Sequence, residues 1–229
     1  MTATFVSWNI QKGIGMDFRR DLARTTDVLA ALEPDVIGLQ EVLRVRQVDQ
    51  AAKIAERLGM TLTWGEARKT RDGTYGNALL VRGEVVGSDV HDLTVARHEA
   101  RCCLDAHLRV RGMEVRVLVC HLGLGLRERK RQTELLIQVL GQPRADLPRV
   151  VMGDFNEWYR GPVRRALAAE FPSAPGPKRS HPSAMPVLAL DRLVWDDALE
   201  GTLEVLPVRM ASDHRLLRAE LTWARQGAD

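Results

Sequence analysis

Cysteine is scarce in this chain: three in 229 residues, with Cys102 and Cys103 adjacent and the third at Cys120. An odd count without any C-x-x-C spacing argues against a disulfide framework and fits a reducing compartment. Long apolar runs are missing as well. No stretch approaches the roughly 20 residues that cross a bilayer as a helix. The opening MTATFVSWNI has neither a basic n-region nor a long apolar h-region. A soluble, cytoplasmic protein is expected, with no obligate protein partner evident. A dominant charge is also lacking: the net charge is +3, the pI about 9.0, and 30 acidic residues are interspersed with the basic ones. That balance leans only gently towards anionic partners, because a nucleic-acid-binding face shows as a concentrated patch rather than a small global excess. Neither an internal repeat nor a second composition regime is present, so one domain over residues 1–229 is expected. With 45% hydrophobic residues it can bury one sizeable core.

The periodicities that are present alternate in type. Residues 4–10 predict a first strand, followed by a glycine-containing loop over 11–16. Residues 19–32 predict an amphipathic helix with Leu22, Thr26, Leu29 and Leu32 on one face, ended by Glu33-Pro34-Asp35. A short apolar run at 36–39 leads into Gln40-Glu41, and a helix over 47–58 is closed by Gly59. Strands are predicted at 78–81, 104–110 and 115–120, the last two joined by a turn at 111–114. A helix over 128–140, a buried strand at 150–152 and a short helix near 162–169 follow. Residues 172–186, rich in Pro, Ser and Gly, read as a loop before strands at 187–194 and 216–223. Mixed strands and helices with hairpins between them predict an α+β fold or layered α/β sandwich.

Polar groups recur where these apolar runs stop: Ser7-Trp8-Asn9, Gln40-Glu41, Cys120-His121, Gly153-Asp154-Phe155-Asn156, Leu190-Asp191-Arg192 and Ser212-Asp213-His214. One such placement is a cap or turn former. Six in one chain are harder to assign to capping, and their chemistry is mutually consistent. Carboxylates and an amide without thiolate suit a hard cation such as Mg²⁺ or Mn²⁺. An Asp paired with a His makes a general base. A second His and an Asn supply donors where charge grows on a phosphoryl oxygen.

In order and spacing these motifs resemble the endonuclease/exonuclease/phosphatase family, from Trp8-Asn9 to Ser212-Asp213-His214. The resemblance implies the family's DNase I-like fold, two packed mixed β-sheets flanked by helices, and a metal-dependent phosphoric ester hydrolase. It implies Glu41, Asn9 and Asp213 as metal ligands and His214 as the base acting on water, oriented by Asp191. Asp154 and Asn156 would position the attacking water and the phosphate, and His121 would stabilise the transition state. Tyr75, Asn77 and Arg101 would line the phosphate site.

Two features resemble the small bacterial members of the family. One is His121-Leu122-Gly123-Leu124 before an Arg/Glu-rich helix; the other is the 182–186 segment running into Leu190-Asp191-Arg192. A phosphodiesterase is the leading expectation, on nucleic acid or on a small or membrane-lipid headgroup diester. A phosphomonoesterase on a sugar or inositol phosphate is the alternative, and a non-catalytic phosphate-binding module is the reading from another class. Trp8, Trp158 and Trp195 read as core or wall residues, and Cys120 as buried filler. In the basic run 127–131, most side chains are expected on a solvated face, with Arg131 and Gln132 as the inward exceptions.

Overall fold

The structure, a computed structural model, describes residues 1–142, 146–208 and 210–223. Its first sheet holds β1 (Thr2–Asn9), β2 (Val36–Val45), β4 (Thr61–Thr70), β5 (Gly73–Val81), β11 (Leu199–Leu206) and β12 (Leu216–Trp223). They run in the order β11-β12-β1-β2-β5-β4, and the two-residue β3 (Val48–Asp49) pairs with β2. The second sheet holds β6 (Gly83–Asp92), β7 (Cys102–Val110), β8 (Met113–His121), β9 (Arg149–Asp154) and β10 (Asp191–Trp195), in the order β10-β9-β8-β7-β6. Helices α1 (Leu22–Ala30) and α2 (Gln50–Leu58) cover the first sheet; α3 (Leu126–Leu140) and α4 (Pro162–Glu170) cover the second.

Strand alternation builds these layers. Successive side chains point to opposite faces, so Ala3 and Phe5 of β1 enter the core between the sheets while Val6 and Trp8 meet α1 and α2. On β8, Val115, Val117 and Val119 face the other sheet, whereas Leu118 and Cys120 pack under α3 and α4. A one-residue slip would exchange the two faces, so two apolar faces per strand fix the register. All three cysteines are free and buried.

Local signals set the helix ends. The Asp21 carboxylate accepts from the Ala23 and Arg24 amides and starts α1 at Leu22, three residues later than the periodicity implied. Asp49 does the same for α2 through the Ala52 amide, and Gly59 closes α2 in the left-handed conformation. Strands β4, β6 and β11 were not legible as apolar runs. Each is the edge of its sheet, and β6 is exposed at most positions, so polar residues dilute the pattern there. Among the described residues no helix is long and apolar enough to cross a membrane.

The topology sets where chemistry can gather. β1 pairs parallel with β2, and β8 pairs parallel with β9, while β12 and β10 run antiparallel to them. The C-terminal ends of β1, β8 and β9 therefore lie at the same end as the N-terminal ends of β12, β10 and β7. Asn9, His121 and Asp154 end the first three strands; His214, Asp191 and Arg101 stand at or just before the start of the others. Cross-strand register puts His121 and Asp191 both opposite Asp154.

Candidate active site

Two backbone features aim the carboxylates. Glu41 lies in a register shift between Leu39 and Val42 of β2, with φ 57°, a left-handed conformation rare for this residue type. The bulge turns its side chain towards the strand ends, and such strain persists only where neighbours hold it. Gly153 precedes Asp154 with φ 149°, and a Cβ there would lie 1.8 Å from the Cys120 carbonyl oxygen. Only glycine lets β9 approach β8 this closely and bring Asp154 beside His121.

His214 is buried and held from several sides. Its Nδ1 lies 2.9 Å from Asp191 Oδ2, which also accepts from the Ser180 hydroxyl. The His214 carbonyl accepts from Trp8 Nε1 at 3.0 Å, and its amide donates to Ser212 Oγ at 3.1 Å. Ser212 Oγ donates to the Asn9 carbonyl at 2.7 Å, tying β12 to β1. Nε2 remains directed into the cleft, 3.7 Å from Asp154 Oδ2. Burial lowers the affinity of this imidazole for a proton, but Asp191, Asp154 and Asp213 outweigh it and raise the pKa to about 10.

His121 has the opposite character. Burial first, then the Arg101 guanidinium, lower its pKa to about 3, so the ring is neutral. Arg101 Nη1 lies 3.1 Å from His121 Nδ1. A guanidinium can only donate, so Nδ1 accepts and the ring proton sits on Nε2. Asn156 Nδ2 lies 3.2 Å from that Nε2 and donates to the Leu122 carbonyl at 2.9 Å. A neutral imidazole has one acceptor nitrogen, and Arg101 takes it. The contact between His121 Nε2 and Asn156 Nδ2 therefore brings two N–H groups towards the same space. An anionic oxygen there would satisfy both.

The remaining expected residues divide. Arg101 is buried, with Nη2 3.0 Å from Glu99, and its Nε has no hydrogen-bond partner. Tyr75 is buried, and its pKa is raised by burial first and then by the Glu41 charge. Asn77 donates to the Cys102 carbonyl at 3.1 Å, across to the second sheet. Its amide nitrogen is thus spent on the junction of the two sheets.

The donor set fits a hard cation. Asp154, Asp191 and Asp213 surround His214, and their field raises this buried imidazole well above its ordinary range. Asn9 Nδ2 donates to Glu41 Oε1 at 3.2 Å and to Asp154 Oδ2 at 2.9 Å, bridging two carboxylates. Its Oδ1 accepts from the Gln11 amide, so Asn9 must turn its amide to serve as a ligand. Ligand atoms of Asp154, Asp191 and His214 lie within 4.8 Å of one another, as do those of His181, Asp213 and His214. Glu41 stands apart from both groups, beside Lys12 Nζ at 3.5 Å.

Comparison with known proteins agrees with this geometry. The model of the endonuclease/exonuclease/phosphatase family matches residues 6–214. The chain belongs to that family. The uncharacterized protein YbhP of Escherichia coli K12 is 28% identical, with 93% of each chain covered. The human Nocturnin catalytic domain with bound sulfate has a TM-score of 0.80 at 21% identity, over 97% of this chain and 94% of that one. A mannosyl-6-phosphatase of Bacteroides thetaiotaomicron has a TM-score of 0.76 at 18% identity, over 96% and 100%. The layered fold with two mixed sheets is thus the fold of this family.

Several residues in this cleft escaped the sequence reading. His181 packs against His214, with ring centroids 4.7 Å apart and the planes tilted by 50°, and its Nε2 lies 3.7 Å from Asp213 Oδ2. Burial raises the Asp213 pKa, but His181 and His214 outweigh it and the net shift is downward. Ser180 and His181 sit in a segment read as a plain loop; the pairing of His181 with Leu188 and the bond from the Arg215 amide to the Ser180 carbonyl bring them in. On α3 the inward residues are Arg129 and Gln132, while Arg131 is exposed and pairs with Glu134. Arg129 shares the inner face with Thr133, Leu136 and Leu140, at the three- and four-residue spacing of one helix face. Arg129 donates to the carbonyls of Gly123 and Leu124 and to the Tyr159 hydroxyl. Trp8 and Trp195 are buried as expected, but Trp158 is 56% exposed. Asp191 forms no bridge to the Arg192 guanidinium, which donates to the carbonyls of Ala189, Asp191 and Glu157.

Proposed function

We propose that this protein is a divalent-metal-dependent phosphodiesterase that hydrolyses its substrate by attack of water on phosphorus. The observation that carries the reading is a division of labour in one cleft. Across the cleft from the carboxylate-held imidazole of His214, two N–H groups, His121 Nε2–H and Asn156 Nδ2–H, converge 3.2 Å apart, with Asp154 Oδ2 3.6 Å from the first. The first arrangement removes a proton from water; the second receives the negative charge that grows on a phosphoryl oxygen.

Each residue has a stated part. Asp191, fixed by Ser180, holds His214 Nδ1–H and leaves Nε2 to take the proton as the water oxygen bonds to phosphorus. The bond from phosphorus to the leaving oxygen then breaks, the leaving oxyanion takes a proton from bulk water where it needs one, and His214 returns its own proton to solvent. Arg101 keeps His121 in the tautomer that donates from Nε2. Glu41, Asn9 and Asp213 would hold Mg²⁺ or Mn²⁺, which when bound supplies Lewis-acid stabilisation and offsets the carboxylate field. That offset would bring the His214 pKa down from about 10 towards the range of a working base.

The diester reading takes nucleic acid or a small or lipid phosphodiester as substrate. A monoesterase reading is favoured by the structural likeness to the mannosyl-6-phosphatase. The two separate by hydrolysis of bis-(p-nitrophenyl) phosphate against p-nitrophenyl phosphate, each with Mg²⁺, with Mn²⁺ and with EDTA. Metal-dependent turnover that favours the diester supports the proposal. A preference for the monoester selects the second reading, and turnover undiminished by EDTA contradicts both.

A further inference from the structure

Ten large hydrophobic side chains are exposed among the described residues, and seven of them lie on the segments that carry the site. Phe18 is 91% exposed in the loop after β1, and Leu124 and Leu126, at 75% and 57%, follow His121. Trp158 stands two residues beyond Asn156, and Met185 and Val187 lie in the segment that enters β10 at Asp191. Met210 precedes Ser212-Asp213-His214. Of the other three, Met1 begins the chain and Val86 and Val90 lie on the edge strand β6.

Hydrogen bonds link these segments around the cleft. The Met16 amide donates to the Met210 carbonyl at 3.1 Å, which ties the Phe18 loop to the approach to β12. The Ser183 amide donates to the Asp213 carbonyl at 2.6 Å, joining the Met185 segment to the same approach. On the other flank, Arg129 bonds both the Leu124 carbonyl and the Tyr159 hydroxyl, next to Trp158. The two flanks meet through Asp154, which lies between His121 and His214.

Scattered apolar residues on a surface need no explanation, whereas a rim of them around one opening does. Charge identifies the occupant. Exposed basic side chains interleave with the apolar ones: Arg19 and Arg20 follow Phe18, Arg127 follows Leu126, and Arg160 lies two residues past Trp158. The nearest acid to Phe18, Asp17, is paired with Arg24. Aliphatic tips flanked by arginine match the boundary between acyl chains and anionic headgroups. Nucleic acid would engage the same arginines, but it wants aromatic faces for base stacking, and five of the seven exposed side chains have none.

We propose that the cleft rim is a docking surface for an anionic phospholipid membrane, and that the enzyme acts on a phosphoester presented at that surface. The substrate half deepens the phosphodiester reading and rests on it; the docking half does not. Docking places the strand ends, and with them the site, against the headgroup layer while the rest of the fold stays in water.

The test uses the full chain in Mg²⁺ buffer and reads flotation with vesicles of phosphatidylcholine, with or without phosphatidylglycerol. His214→Ala is the carrier, so that lipid is not consumed. The expected result is co-flotation with the anionic vesicles only. A combined Phe18→Ser, Leu126→Ser, Met185→Ser variant should lose flotation by at least about tenfold. In the background that retains His214, it should keep hydrolysis of soluble bis-(p-nitrophenyl) phosphate. A Val86→Ser, Val90→Ser variant, altered away from the rim, should float like its parent. Failure to float while the diester is hydrolysed overturns docking alone. Flotation without any diester turnover leaves docking standing and overturns the function reading. Equal loss in the Val86/Val90 variant, or retention of plasmid DNA in place of vesicles through the three rim side chains, overturns the membrane assignment.

Discussion

Replacing Asp191 with asparagine isolates charge from geometry at the centre of the site. Asp191 Oδ2 accepts from His214 Nδ1 at 2.9 Å and from the Ser180 hydroxyl. An asparagine oxygen in the same place can accept both, so the ring stays oriented while the negative charge is lost. A hydrogen bond to a charged group is worth about 1.5–3 kcal/mol against about 0.5–1.5 for a neutral one, and positioned general bases contribute roughly 10²–10⁴ in rate. The expected fall in kcat on bis-(p-nitrophenyl) phosphate is about 10²–10³, or about 3–4 kcal/mol, with KM little changed. The same substitution has a signature in stability. His214 in the cation-free protein has its pKa raised to about 10 from an ordinary 6.5, so the folded state binds the proton more tightly. That contribution is fully present below pH 6.5 and is lost as pH rises through about 10. Urea unfolding with EDTA should show the parent losing stability across this window, and Asp191→Asn should flatten the loss. A fall in kcat of less than about threefold, with an unchanged pH dependence of stability, would refute the reasoning.

Three further substitutions test other parts of the structure. Glu41→Gln keeps the hydrogen bond to Asn9 but removes the charge set by the bulge; turnover should fall by more than about 100-fold with Mn²⁺ affinity weakened, as titration followed by electron paramagnetic resonance will show. Gly153→Ala would put a Cβ 1.8 Å from the Cys120 carbonyl oxygen, and urea unfolding should show a loss of more than about 2 kcal/mol. Arg116 is fully buried, with two hydrogen bonds to Asp105 and others to the Val139 and Leu140 carbonyls at the end of α3. Arg116→Met should lower stability by about 3–5 kcal/mol without changing KM, and an effect on KM comparable to that on stability would contradict a purely structural part.

The strands of the sheet interiors could be read from sequence because both faces of β1, β8 and β9 are apolar, and β12 shows clear alternation. The edge strands β4, β6 and β11 could not, since exposure frees many of their residues from any pattern, whereas the edge strand β10 is buried throughout and was legible. Site carboxylates and histidines were legible because they punctuate apolar runs, and Asn9, His121, Asp154, Asp191 and His214 do converge at one end of the sheets. Arg101 was visible only by resemblance, yet it sets the tautomer of His121. His181 and Ser180 were invisible because a loop has no period; folding brings them to His214 and Asp191. On α3, Gln132 is inward as expected, but Arg131 is exposed and Arg129 is the buried arginine.

The most direct measurement is hydrolysis of bis-(p-nitrophenyl) phosphate in ¹⁸O-labelled water with Mg²⁺, by the parent protein and by His214→Ala. The expected result is turnover abolished by EDTA, ¹⁸O in the p-nitrophenyl phosphate and none in the p-nitrophenol, with nearly all activity lost in the variant. Label in the phenol, or parent-level hydrolysis by His214→Ala, would contradict water attack on phosphorus driven from this site.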